Sequence, residues 1–340
     1  MIENRLSRDL RELMDNTPSQ VWDAFAGQRI FLTGGTGFVG KWLLHSLLYA
    51  NACAELDVHI TVLSRDPDGF EARHPTFAAS PFLSFHRGDI IDFHFPQGRF
   101  DGVVHAALSV TPPGADDGDL IRSAQAGASR ACQFAAATGA RRFLHISSGA
   151  VYGHQPGHAG IAESSPWDEV AAANTYTQAK RAAERVMQQP WPFEVVIARL
   201  FGFVGPYLDA ASGTAAAEFT KVAAQGQDIV VQGSGDAFRS YQYASDMARW
   251  LLTLYAMGKT GAAYNVGGSE CVSIVDLAHL VATAVSPAAH VNIAGRAHAG
   301  LAPSGYLPSL ELAESELGLS NIVPLPDAIR RTLDWHSETF

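Results

Sequence analysis

Cysteine is scarce: Cys53, Cys132 and Cys271 are the three in 340 residues, far apart and with no C-x-x-C pair. Neither a disulfide framework nor a zinc site is signalled, and a reducing, cytoplasmic setting is the expectation. Positive charge is short as well, with 24 Lys and Arg against 34 Asp and Glu, a formal net charge of -10 and no basic run. That argues against a nucleic-acid surface. The 13 histidines form no H-x-x-x-H or comparable cluster, so no metal is expected. No apolar run is long and uninterrupted enough to cross a bilayer. The amino terminus carries Glu3, Asp9, Glu12 and Asp15, which a signal or transit peptide avoids. Repeats and low-complexity linkers are absent too. Small molecules are the expected partners, with no nucleic acid and no membrane.

What is present is a chain of 47% hydrophobic composition, long enough to bury a large core in two lobes. Leu6, Leu10, Leu13 and Met14 recur at helical spacing, with Ser7 and Asp9 near the start and Pro18 beyond the end. This predicts an amphipathic helix within an amino-terminal extension, 1–27, docked on the main body. Next comes "RIFLTGGTGFVGKWLLHSLLYA", which reads as a short apolar strand, a glycine turn, and a helix burying Trp42, Leu43, Leu44, Leu47 and Leu48. The turn is G-x-x-G-x-x-G, with Gly34, Gly37 and Gly40. Small residues there permit a tight turn and bring backbone N–H groups close to a pyrophosphate, so a dinucleotide is the expected ligand.

Further strands are read in "VHITVLSR", "LSFHRGDI", "GVVHAAL", "RFLHISSG" and "FEVVIARLFG", with helical segments between them. The alternation predicts an α/β fold, a Rossmann-type doubly wound parallel sheet with a smaller carboxyl-terminal substrate lobe. The boundaries are 28–198 plus about 240–262 for the dinucleotide-binding domain and about 199–239 plus 263–340 for the substrate lobe. The cleft between lobes is where a substrate is expected. The second strand ends in Ser64 and Arg65 where an acidic residue would bind both ribose hydroxyls of NAD. A hydroxyl and a guanidinium suit a 2′-phosphate, so NADP is favoured over NAD. Asp66, brought to the ribose by a shifted turn, would reverse that preference.

In "TYTQAKRAAERV" a helix places Tyr176 and Lys180 on one face. An ammonium beside a phenol favours the phenolate and suits it to acid/base work. Taken alone, Y-x-x-x-K is more often a packed tyrosine and a solvated lysine. The rest of the chain overturns that. "TGGTGFVG" is followed in order by "GDI" (88–90), "HAA" (105–107), "SSGAVYG" (147–153), "YTQAK" (176–180), "RLFGFVGP" (199–206), "GSGDAFRSYQYASDMA" (233–248) and "YNVGG" (264–268).

Together these motifs resemble the extended short-chain dehydrogenase/reductase superfamily, in particular its NAD-dependent epimerase/dehydratase family acting on nucleotide sugars. The resemblance runs from about residue 28 to the end. It implies a catalytic trio of Ser148, Tyr176 and Lys180, with Ser147 as a local competitor of Ser148. It implies a cofactor site comprising Gly34, Thr36, Gly37, Phe38, Val39 and Gly40, Ser64 and Arg65, Asp89 and Ile90 beside the adenine, Ala106 and Ala107 along the trough, Ser147, and Leu200 and Phe201 at the nicotinamide end. Gly202, Arg239 and Arg296 fall to the substrate, Arg239 matching the arginine that clamps the nucleotide diphosphate. His105 reads as a packed strand-end histidine. A homodimer through the Ala-rich helices at 120–138 and 174–188 is a further implication of the resemblance.

Four departures from the family pattern carry information. Dehydratases have an Asp-Glu pair after the catalytic residue, and decarboxylases a glutamate, where this chain has Gly149 and Ala150, which transfer no proton. A 4,6-dehydratase is therefore disfavoured. Ala124 and Gly202 stand where family members usually have asparagines. The expectation is an NADP-linked reductase of a 4-keto nucleotide sugar, with a 4-epimerase holding NAD as the alternative. A reductase of a non-sugar ketone and a non-catalytic dinucleotide sensor are less favoured.

Overall fold

A computed structural model describes residues 4–108, 117–168, 174–296 and 303–337. Residues 1–3 of the extension and 338–340 of the carboxyl-terminal lobe lie outside it. The chain divides into two compact units, one of residues 1–153, 167–199 and 248–264, the other of 154–166, 200–247 and 265–340.

The first unit is organised by a seven-stranded parallel sheet flanked by helices. Its strands are β1 (Arg29–Thr33), β2 (His59–Ser64), β3 (Leu83–Arg87), β4 (Gly102–His105), β5 (Arg142–Ser148), β6 (Glu194–Leu200) and β7 (Ala263–Val266). They lie in the order β7-β6-β5-β4-β1-β2-β3. β1 pairs in parallel with β2 on one side and β4 on the other, so the chain's direction of travel across the sheet reverses beside β1. In a doubly wound sheet that switch point is where ligands collect, at the carboxyl ends of the strands. β4 is buried at all four positions, as a strand covered on both faces must be. One face packs an aromatic layer of Phe31, Phe93, Phe100 and Phe134, with the Phe31 and Phe134 rings 4.2 Å apart between centroids.

The amino-terminal extension forms α1 (Ser7–Asp15), which packs on α2 (Phe38–Ala54) and buries Leu10 and Leu13. After α3 (Pro67–Arg73), α4 (Asp117–Thr138) and α5 (Thr175–Met187) pack lengthwise on each other. The helix expected to return to the first lobe, α6 (Ala244–Met257), joins the first unit from Ala248 onward.

The second unit has a core of its own around Phe219, Ile229, Tyr243, Leu277, Val281 and Ile329. Its helices include Ala215–Ala224, Ile274–Thr283 and Leu325–Ser337. Ser273 starts the second of these with a capping box closed by Asp276. No helix of the described residues is long and apolar enough to cross a membrane.

Candidate active site

Gly34 is the pivot of the glycine turn. Its φ of +73° is left-handed, and a Cβ there would lie 2.7 Å from the backbone of Ala106. The turn can therefore nestle against the end of β4, while Gly37 is the N-cap of α2 and, having no side chain, makes no capping bond to that helix's first N–H groups. Around this point lies a cavity of about 270 Å³ lined by Gly34, Thr36, Gly37, Ser64, Arg65, Asp89, Ile90, Ala106 and Ala107, with Leu63, Gly88 and Leu108. Nine residues expected at a cofactor from four separate strand ends thus share one wall. Phe38, Val39 and Gly40 form the first turn of α2 beyond it. A larger groove, of about 540 Å³, lies at the opposite ends of the strands near Asp101, Arg141 and Glu194. There Arg142 is spent on the Tyr255 carbonyl and on Glu194, and the strand-end chemistry is elsewhere.

The end of β2 distinguishes its polar residues. Ser64 is 7% exposed, and its hydroxyl accepts the Asp66 N–H at 3.2 Å. Arg65 is exposed and faces the cavity, and its carbonyl accepts from Arg87 at 3.2 Å. Asp66 is the N-cap of α3, its carboxylate accepting the Gly69 N–H at 3.2 Å. It does not line the cavity.

α5 begins at Thr175 because the Asn174 side chain caps it, accepting the Tyr176 N–H at 2.8 Å. Tyr176 is 39% exposed, whereas Lys180 is 7% exposed and donates to the Ile146 carbonyl of β5 at 3.1 Å. The Lys180 Nζ lies 5.8 Å from the Tyr176 ring centroid, so the two residues do share a face. Ser148 ends β5, and its hydroxyl accepts the Ala150 N–H at 3.2 Å at the head of the 149–152 turn. α5 packs on that turn, and Arg181 donates to the carbonyls of Val151 and Asp168 at 2.7 and 3.0 Å. Ser147 is committed elsewhere, donating to Glu184. Between the two serines, the structure thus leaves Ser148 on the side of the turn and engages Ser147 within the core.

Beside Lys180, His105 at the carboxyl end of β4 stacks on His145, its partner in the middle of β5, with centroids 5.3 Å apart and planes at 24°. His105 Nδ1 is 2.8 Å from the Thr33 hydroxyl, which also accepts the Ala107 N–H at 3.2 Å. Burial first, then the Lys180 charge, lowers His105 to about 3. His145 is held well below the ordinary range by burial, then by His105 and Lys180. Both imidazoles are neutral near pH 7, so they add no charge to that of the lysine.

The remaining expected residues run from Leu200, the last residue of β6, onward. Leu200 and Phe201 are buried, Phe201 packing on Tyr306 with centroids 4.7 Å apart. Gly202 pairs with Tyr241, and a Cβ on it would collide with the Ser240 carbonyl, so the position has no room for a side chain. Arg239 is half-buried on the Phe238–Arg239 strand; its Nη1 donates to the Phe238 carbonyl at 2.7 Å and its guanidinium lies 6.0 Å from the Tyr306 ring centroid. Arg296 is exposed and follows the Val291–Ile293 strand, which belongs to a different sheet from that of Arg239. Among the described residues no group of three or more His, Cys, Asp or Glu is arranged to hold a metal ion.

The sequence reading passed over Glu184, Arg199 and Tyr152, which form a buried network behind α5. One signal was available: Tyr176, Lys180 and Glu184 are spaced by four and continue a single helical face.

The chain is 26% identical over 318 residues to UDP-glucuronic acid decarboxylase 1 of Xenopus tropicalis, covering 91% of this chain and 72% of that protein. It is also 26% identical over 324 residues to dTDP-glucose 4,6-dehydratase of Actinoplanes sp., covering 91% and 97%. Among solved structures, UDP-glucuronic acid 4-epimerase from Bacillus cereus, in complex with UDP-glucuronic acid and NAD, aligns with a TM-score of 0.77 at 20% identity, over 92% of this chain and 100% of that one. DesIV, a dTDP-glucose 4,6-dehydratase from Streptomyces venezuelae with NAD and TYD bound, gives 0.74 at 23%, over 91% and 97%. A family model matches residues 30–267, from β1 and its glycine turn through the tyrosine–lysine helix into β7, and by that match the chain belongs to the NAD dependent epimerase/dehydratase family.

Proposed function

We propose that this protein is an NADPH-dependent reductase of a nucleotide-linked 4-keto sugar. The observation that carries the reading is the Ser64–Arg65 wall of the cavity, joined to an Asp66 that is occupied in capping α3. A 2′-phosphate meets a hydroxyl and a guanidinium there, whereas a ribose diol would find no carboxylate. The cradle fits a nicotinamide dinucleotide: Gly34 admits a pyrophosphate to the turn, and the open end of α2 favours its charge. Such a cofactor, when bound, supplies the hydride.

The chain's own residues handle the oxygen. Tyr176 delivers the proton that the carbonyl oxygen takes up on becoming a hydroxyl. Lys180, fixed by the Ile146 carbonyl, holds its ammonium on the same helical face as Tyr176. Ser148 donates to the same oxygen as charge develops on it. The two residues after Ser148 bring no carboxylate: Gly149 is buried and Ala150 half-buried, so a second acid/base for eliminating water, or for a decarboxylase-type step, has no side chain at these positions. Arg239 is the candidate for gripping the diphosphate. The homodimer expected through α4 and α5 belongs to the same reading, and light-scattering mass tests it.

The function is tested by identifying any nicotinamide the purified protein retains, then incubating it with UDP- and dTDP-linked sugars and their 4-keto derivatives plus NADPH or NADH. Stoichiometric consumption of NADPH with a 4-keto sugar is the expected result. Sugar interconversion without net consumption, with NAD retained, would make it a 4-epimerase instead.

A further inference from the structure

Glu184 is fully buried, yet the chemistry above makes no use of it. It follows Lys180 by one helical turn, as Lys180 follows Tyr176. Its carboxylate accepts the Ser147 hydroxyl and is gripped by Arg199, whose Nε lies 3.2 Å from Oε1 and whose Nη2 lies 2.8 Å from Oε2. Arg199 also donates to the Tyr152 hydroxyl at 2.9 Å, with its guanidinium 4.9 Å from that ring's centroid. Burial opposes the Arg199 charge, but the hydrogen bonds and charge of Glu184, with Tyr152, leave its pKa above that of a free arginine.

Stability alone is a weak reason for such a pair, because apolar residues of similar volume generally replace a buried ion pair without loss. The network's contacts point to a different purpose. Ser147 immediately precedes Ser148, and Tyr152 closes the turn that Ser148 opens. Ile146, the residue before Ser147, accepts from Lys180. α5 is therefore pinned to two successive residues of β5 by side chains one helical turn apart, and Arg199 ties the same carboxylate to β6.

We infer that Glu184 is a positioning residue which, through Ser147 and Arg199, sets Ser148 against Tyr176 and Lys180. Its kinetic readout rests on the proposed reductase activity; its structural readout does not. Two variants test it. Glu184→Gln keeps the shape and removes the charge facing Arg199. The triple variant S147A/E184M/R199M removes the three interacting polar ends together.

For the triple variant, thermal unfolding is expected to match the wild type. Its kcat on a UDP- or dTDP-linked 4-keto sugar should fall about 10²-fold, the scale of a reacting group displaced by an ångström, with KM and the NADPH Kd little changed. Amide exchange in 147–153 should quicken about tenfold while β1 stays protected. Wild-type kcat and wild-type exchange in a stable triple variant would overturn the inference, leaving the pair a packing feature only. If the triple variant folds poorly, Glu184→Gln carries the same test, read as lost kcat with retained NADPH binding and faster exchange in 147–153. A wild-type protein that turns over no 4-keto nucleotide sugar defeats the functional reading instead, and exchange in 147–153 still decides the positioning claim.

Discussion

Tyr176 stands partly exposed on a helix whose next turn is buried, an arrangement suited to a group that must meet a substrate while its neighbour is held still. Tyr176→Phe should lower kcat by about 10²–10⁴-fold, the usual share of a general acid, while leaving NADPH binding largely intact. Stopped-flow turnover and a fluorescence titration check this, and a folded variant that kept its rate would remove Tyr176 from the mechanism. Arg65→Ala should raise the NADPH Kd about tenfold or more, the scale of one charge-assisted hydrogen bond, and barely move that of NADH. Equal effects would count against a 2′-phosphate contact. Buried histidines make a separate statement about pH. His45 and His105 are lowered to about 3, and His145 is well below its ordinary value, chiefly by burial. For His45 and His105, between about 3 and 6.5 the unfolded chain binds protons that the folded chain refuses, so stability falls as pH falls, by up to about 1.4 kcal/mol per pH unit for each, and His145 acts in the same direction. Neither ring nitrogen of His145 has a hydrogen-bond partner among the described residues. His145→Phe should flatten that acid limb in urea unfolding without lowering stability at pH 7; an unchanged slope would refute the assignment.

At the scale of elements, the parts most legible in the sequence were those governed by local rules. The strand–glycine turn–helix unit, the apolar strands and the tyrosine–lysine helix follow from periodicity, caps and turn residues. What escaped was contact between distant segments: Glu184 meets Arg199 and Ser147 only because α5, β5 and β6 adjoin in space. The double serine was ambiguous in sequence, and its local contacts became visible only in the fold, where Ser147 donates to Glu184 and Ser148 accepts the Ala150 N–H. Gly202 is another such case. The sequence shows an asparagine missing from a family motif, while the structure shows why glycine is needed, with the Gly202–Val204 strand pressed against the Ser240 carbonyl. Gly202→Asn should therefore cost about 1–3 kcal/mol through overpacking. Chemical denaturation measures this, and an unaltered midpoint would mean that the two strands part easily.

Across the whole molecule, the amino-terminal extension belongs to the first unit, with Leu6, Leu10 and Leu13 at most 2% exposed. Leu10→Ala should cost about 2–5 kcal/mol in global unfolding, the range for a truncated core leucine. A loss confined to local fraying, with the main transition unmoved, would detach the extension from the cooperative fold. The parallel, doubly wound sheet was foreseeable from alternating strands and helices, whereas the strand order, with the cavity beside β1, came from the fold. The central claim is that hydride passes from NADPH to a sugar carbonyl on this protein. Incubation with 4-deuterated NADPH, carrying the label on the transferred face, and a UDP- or dTDP-linked 4-keto sugar, followed by NMR of the product, tests that claim directly. Deuterium bonded to sugar C4, one atom for each NADPH oxidised, is the predicted result; a product without deuterium, or no product with any sugar of the panel, would contradict it.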